Sequence, residues 1–166
     1  MSEVIELSFP DLIFFEDYNG NFQNYFQAVY HIFESHFIKS QPTYDGLSVS
    51  APRHPLVDDK HHRTFYHITH EGEIENDREP DFRRMERIRF PKFIIDSCPH
   101  SQLLVWEKTI GRDQRIHILN EEEQYLVVLT RRKTYLMLCT AFYIEHRHTV
   151  NKKLKEYEEY KKTKTA

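Results

Sequence analysis

The residue types that could do chemistry in this chain are histidine, arginine and one isolated hydroxyl. His67 sits among aromatic neighbours in Thr64–His70, a segment in which an imidazole can be fixed in one orientation. An unperturbed pKa of about 6.5 lets such a ring take or give a proton near neutrality. Arg83, Arg84, Arg87, Arg89 and Lys92 form the densest basic cluster, interleaved with Phe82, Phe90 and Phe93. Guanidinium groups match phosphate oxygens through a planar fork, and exposed aromatic rings stack bases, so the composition suits a phosphate-binding face. The same run also reads as a solvated helix face paired with Glu79, Asp81 and Glu86. Thr140 interrupts an apolar strand, where its hydroxyl either bonds a phosphate oxygen or serves as an ordinary strand residue.

Several other chemistries lack support. Cys98 and Cys139 have no Cys-x-x-Cys spacing and read as buried free thiols. Eleven histidines include the pairs His61/His62 and His146/His148, yet no His-Glu-x-x-His helix or nearby cysteine supports a zinc site. With 4 glycines and no phosphate-cradling loop, a nucleotide-hydrolase fold is not suggested. The expectation is therefore no metal and no cofactor.

These side chains need a frame. A chain of 166 residues with 39% hydrophobic and 30% charged residues can bury one core, so a single domain over residues 1–166 is expected. Its net charge of −3 argues against bulk attraction to nucleic acid and leaves the task to a local patch. No apolar run approaches the length of a membrane helix, and the first residues lack signal-peptide character, so a soluble, cytoplasmic protein with no membrane partner is expected.

Asn21–Ile38 places Phe22, Phe26, Val29, Phe33 and Phe37 at steps of three and four, the mark of an amphipathic helix. Prolines and polar residues over 39–60 imply an irregular connection with a short strand around Leu47–Ser50. Thr64–His70 alternates as a strand would, putting His67 and Thr69 on one face and His70 on the other, with Glu71-Gly72-Glu73 ending it. Glu79-Pro80-Asp81 reads as a helix start, with Phe82, Met85 and Ile88 as an apolar stripe, and Pro91 opens a further helical turn. Four strands follow, Gln102–Thr109, Gln114–Leu119, Tyr125–Thr130 and Thr134–Tyr143, with the basic turn Arg131-Arg132-Lys133 directed away from Thr140. Thr149–Lys162 reads as a C-terminal helix and the last four residues as a frayed end. The expected class is α+β: N-terminal helices on a four- to five-stranded antiparallel meander, then a C-terminal helix. Within the single domain, residues 1–60 form the N-terminal part, 61–148 the core and 149–166 the final helix.

Three stretches carry a family resemblance: Thr-Phe-Tyr-His-Ile-Thr-His-Glu-Gly-Glu, the run from Arg78 to Ile95, and the run from Glu123 to Glu145, which includes Leu-Cys-Thr-Ala-Phe-Tyr. Together they resemble phage-associated members of the barnase, EndoU, colicin and RelE-like nuclease group, over residues 64–145. The resemblance implies a small metal-independent ribonuclease with the sheet as the floor of its site. His67, Arg84 or Arg87, and Thr140 are the implied active residues. With Arg87 as the catalytic arginine, Arg83, Arg84, Arg89 and His70 become candidate substrate contacts. Such an enzyme cleaves RNA by attack of the 2′-hydroxyl. The alternative is a non-catalytic module of a phage or mobile element that binds RNA or a host protein; the expected partners are RNA and a protein inhibitor or host protein.

Overall fold

The computed structural model describes residues 5–54, 56, 61–72 and 78–165; the end of the proline-rich connection, Glu73 and Ala166 lie outside them. After a 3-10 turn at Phe15–Tyr18 comes α1 (Phe22–Phe37), then β1 (Thr43–Tyr44) and β2 (Leu47–Ser50). Next are α2 (Arg63–Thr69), β3 (His70–Glu71), β4 (Glu79–Pro80), α3 (Phe82–Glu86) and α4 (Phe90–Ser97). Strands β5 (Leu104–Ile110), β6 (Asp113–Asn120), β7 (Tyr125–Arg131) and β8 (Leu136–Tyr143) precede α5 (Arg147–Thr165).

The meander is present as expected, but the sheet has six strands, in the order β1-β2-β8-β7-β6-β5. Residues 43–50 supply the two extra strands, and β2 lies parallel to the start of β8, with Val49 opposite Leu136. Beyond Met137 the register of β2 ends, leaving the outer edge of β8 for α2 and α3 to approach. Side chains alternate across the sheet, so each strand feeds two cores. On one side Ile116, Ile118, Val127, Leu129 and Leu138 pack with α1 and α4. On the other, Trp106, Leu119, Leu126 and Val128 pack with Ile144 and with Val150 of α5.

The apolar stripe of α1 is buried from Tyr25 to Phe37, and the Asn21 side chain caps its start by accepting from the Asn24 N–H at 3.1 Å. The helix start at Asp81 also forms, its carboxylate accepting from the Arg84 N–H at 3.2 Å. Phe82, expected in the apolar stripe, is 41% exposed, whereas Met85 and Ile88 are buried. At the other end of the chain, α5 continues through Thr165 rather than fraying from Thr163.

The main correction concerns Thr64–His70, which is helix through Thr69 and strand only at His70, where β3 begins. Phe65 and Ile68 are three residues apart, which a helix places on one face, and both are fully buried. The Phe65 ring meets Phe26, Tyr30 and Phe33 of α1 at 5.4, 4.9 and 5.5 Å. Packing of that aromatic pair of helices outweighs the strand propensity of Phe, Tyr, Ile and Thr. The hydroxyl of Thr64 donates to the Pro52 carbonyl at 2.8 Å, fastening the first turn. His67 and Thr69 therefore lie on different faces, two helical positions apart.

Candidate functional site

With α2 helical, His67 turns toward the sheet. Along the α5 side of the sheet, strand register sets out two rows of side chains. The first is Arg115, Thr130 and Met137; the second is His117, Val128 and Thr140. A cleft of about 360 Å³ opens over the first row. Its wall on the α2 side is Arg63, Thr64 and His67, and its floor includes Arg115, Thr130, Met137 and Cys139. Arg132 and Asp113, from the two turns at that end of the sheet, complete the rim.

Three guanidinium groups face one carboxylate here. Asp113 lies 3.3 Å from Arg132 Nη1 and 3.8 Å from Arg115 Nη2, so it orients two of the three. The arrangement can hold a doubly coordinated oxyanion, with the Thr130 hydroxyl on the lining, whereas the Thr64 hydroxyl is committed to the Pro52 carbonyl. His67 and Asp113 are the imidazole and the carboxylate of the lining, the side-chain types that serve as general acid or base.

The expected partners of His67 are elsewhere. Arg84 donates to the carbonyls of His70 and His67 at 2.9 and 3.5 Å, satisfying the end of α2. Its guanidinium lies over the Phe142 ring at 5.3 Å and 3.3 Å from the Asp81 carboxylate. Arg87 lies over Tyr143 at 4.3 Å, donates to the Arg83 carbonyl and pairs with Glu86 at 3.5 Å. Arg87 fastens α3 to β8, and Arg84 fastens it to both β8 and the end of α2, which makes Arg84 a positioning residue for α2. Arg83 is well exposed and pairs with Glu86, whereas Arg89 donates to the Asp11 carbonyl at 3.0 Å. Thr140 is half-buried on β8 and stands outside the lining of the cleft.

His70 is 4% exposed and cannot meet a substrate as a surface group. Because Thr69 Oγ1 donates to the Phe65 carbonyl at 2.7 Å, its 2.8 Å contact with His70 Nδ1 has the ring nitrogen as donor. The ring is packed against Tyr66 at 4.5 Å, and burial next to Arg78 and Arg84 lowers its pKa to about 4.

Sequence reasoning missed Arg63, Arg115, Thr130 and Asp113, and turned Arg132 away from the site. The basic turn is remote from Thr140, as expected, but α2 approaches the start of β8 and so brings His67 to the turn end. A polar pair, Arg115 opposite Thr130, inside strands otherwise rich in Ile, Leu and Val, was the signal that could have marked this end of the floor.

Among the described residues no group of three His, Cys, Asp or Glu side chains comes together to hold a metal ion, and no helix is long and apolar enough to cross a membrane. Cys98 and Cys139 are free, half-buried thiols. Set against protein-family models, curated proteins and solved structures, the chain matches none.

Proposed function

We propose that this chain is a metal-independent endoribonuclease of the phage or toxin type, related to the barnase, EndoU, colicin and RelE-like group, and that its site is the cleft between α2 and the turn end of the sheet. The observation that carries this reading is the shared lining: His67 beside Arg63, Arg115 and Arg132 in one hollow of about 360 Å³. The arginines hold the phosphodiester as charge builds on it. A base removes the proton of the ribose 2′-hydroxyl, O2′ attacks phosphorus, the bond to O5′ breaks, and an acid protonates the departing O5′. His67 and Asp113 are the pair assigned to those transfers, and the product is a 2′,3′-cyclic phosphate.

Incubation with RNA in excess chelator, followed by identification of the new ends, tests the proposal. Cyclic-phosphate ends and 5′-hydroxyl ends are expected. Absence of cleavage throughout the range from about pH 5 to 9, which brackets the ordinary pKa of an imidazole, would remove it.

A second reading, a non-catalytic module that binds RNA or a protein, is favoured by one observation. Arg84, Arg87 and Thr140 do not join His67 in the cleft: both arginines are engaged with backbone carbonyls and aromatic faces. Binding of RNA in the cleft with no new ends would select it.

A further inference from the structure

We propose that the ridge formed by Phe82 and Arg83 is a base-stacking subsite for single-stranded RNA, a few nucleotides along the strand from the phosphodiester held in the cleft. The inference rests on the RNA reading above and adds a second point of contact to it.

Phe82 opens α3 and is a large apolar side chain left 41% exposed. Its inner surroundings are nevertheless rigid. The ring lies 5.4 Å from Phe15, 6.2 Å from Phe22 and 6.1 Å from Tyr25, stacked on the last at 21°. One side of the ring is therefore fixed by three aromatic neighbours while the rest meets solvent. Arg83 stands beside it with a side chain 68% exposed, tied at 3.3 Å to Glu86. A guanidinium next to an open phenyl ring is the composition on which unpaired bases stack.

The ridge separates two hollows, both lined by Phe82 and Arg83. The larger, about 590 Å³, reaches across to Phe142 on β8, which lies on the same side of the sheet as the cleft floor. Cys139 of the cleft and Phe142 of this hollow are three residues apart on one strand, roughly 10 Å. One short RNA segment can span both. The hollow also carries the carboxylates of Glu71, Asp81 and Glu145 beside Arg83 and Arg84, with Asp81 already paired to Arg84 at 3.3 Å. Glu71 and Glu145 repel a phosphate and accept from the amino groups of a base, so the base and not the backbone is the part that settles there. Charge complementarity thus divides the track: phosphate at the arginine cleft, base at the phenylalanine ridge.

The test uses the full chain and fluorescently labelled, uncleavable 2′-O-methyl oligoribonucleotides, one of two nucleotides and one of eight. Phe82→Leu keeps apolar bulk and removes the stacking surface, whereas Phe82→Trp keeps it. Phe82→Leu is expected to weaken the eight-nucleotide probe about tenfold or more while sparing the two-nucleotide probe, and Phe82→Trp to bind the longer probe as the wild type does. Arg115→Gln serves as the control for the cleft. If it weakens both probes while Phe82→Leu changes neither, the RNA reading stands and the stacking subsite is overturned. If the wild type binds neither probe, both fall. Equal loss of the two probes in Phe82→Leu also overturns the subsite, because the ring would then act only through the fold.

Discussion

Replacement of His67 by alanine is expected to lower RNA cleavage by about 10²- to 10⁴-fold, the usual contribution of a positioned proton-transfer group. Affinity for an uncleavable oligoribonucleotide should stay at the wild-type level, because the proposed mechanism gives the imidazole a proton to move and leaves the phosphate to Arg63 and the other arginines of the lining. Arg115→Gln should show the reverse pattern, with weakened binding as well as slowed cleavage. Its guanidinium rises from the cleft floor, and Thr130 across from it offers no charge to replace it. His67 is half-buried on the cleft side of α2 and is not one of the residues that bury the helix, such as Phe65 and Ile68, so its removal leaves the helix packed on α1. Single-turnover cleavage and equilibrium binding, measured on the same preparations, separate the two patterns. Unchanged cleavage in His67→Ala would remove the imidazole from the mechanism.

The second large effect is on stability. His70 and His117 are both 4% exposed, and burial lowers each pKa from 6.5 to about 4, with Arg78 and Arg84 adding to it at His70 and Lys153 at His117. His117 is stacked on Trp106 at 5.1 Å, and its Nδ1 has no hydrogen-bond partner among the described residues. A group with a depressed folded pKa binds its proton later in the native state than in the unfolded chain. Above about pH 6.5 both states are neutral and the folded protein keeps its full stability. As pH falls from there toward 4, the unfolded chain takes up protons that the native state refuses. Each histidine then removes about 1.4 kcal/mol per pH unit, of order 3 kcal/mol each over the window. Glu107 acts in the same direction at lower pH, because its hydrogen bond from Arg131 holds its pKa down. Urea unfolding at a series of pH values should show a steep fall across the window, about halved in slope in His117→Gln. A stability unchanged from neutrality down to about pH 4.5 would contradict the burial assigned to these rings.

Much of the frame was legible because local signals and packing agree there. Strands β5 to β7 are separated by turns at residues 111–112 and 121–124, and the β-branched runs of β5 to β8 sit in the sheet as written. The stripe of α1 points to its buried face for the same reason. Thr64–His70 was misread because aromatic and β-branched residues favour a strand when considered alone, while the choice is made by Phe26, Tyr30 and Phe33 of another helix. That one change of element reassigns the site. A strand would have set His67 on one face with Thr69; the helix runs beside the edge of β8 and brings His67 into one cleft with Met137 and Cys139. Arg84 and Arg87 carried the right chemistry for phosphate, yet the open carbonyls at the end of α2 and the faces of Phe142 and Tyr143 engage them first. Arg63, Arg115 and Arg132 belong to three different elements, so only tertiary structure brings them together.

The central claim is that RNA phosphates lie in the cleft lined by those three arginines, and the salt dependence of binding tests it most directly. Each phosphate neutralised on a single strand contributes about −0.7 to the slope of log K against log salt. For an uncleavable oligoribonucleotide, Arg63→Gln, Arg115→Gln and Arg132→Gln should each weaken binding and reduce that slope by about 0.7 or less, the smallest change falling on Arg132, already paired with Asp113. Unchanged affinity and slope in all three variants, with the wild type binding RNA, would place the nucleic acid elsewhere and contradict the account.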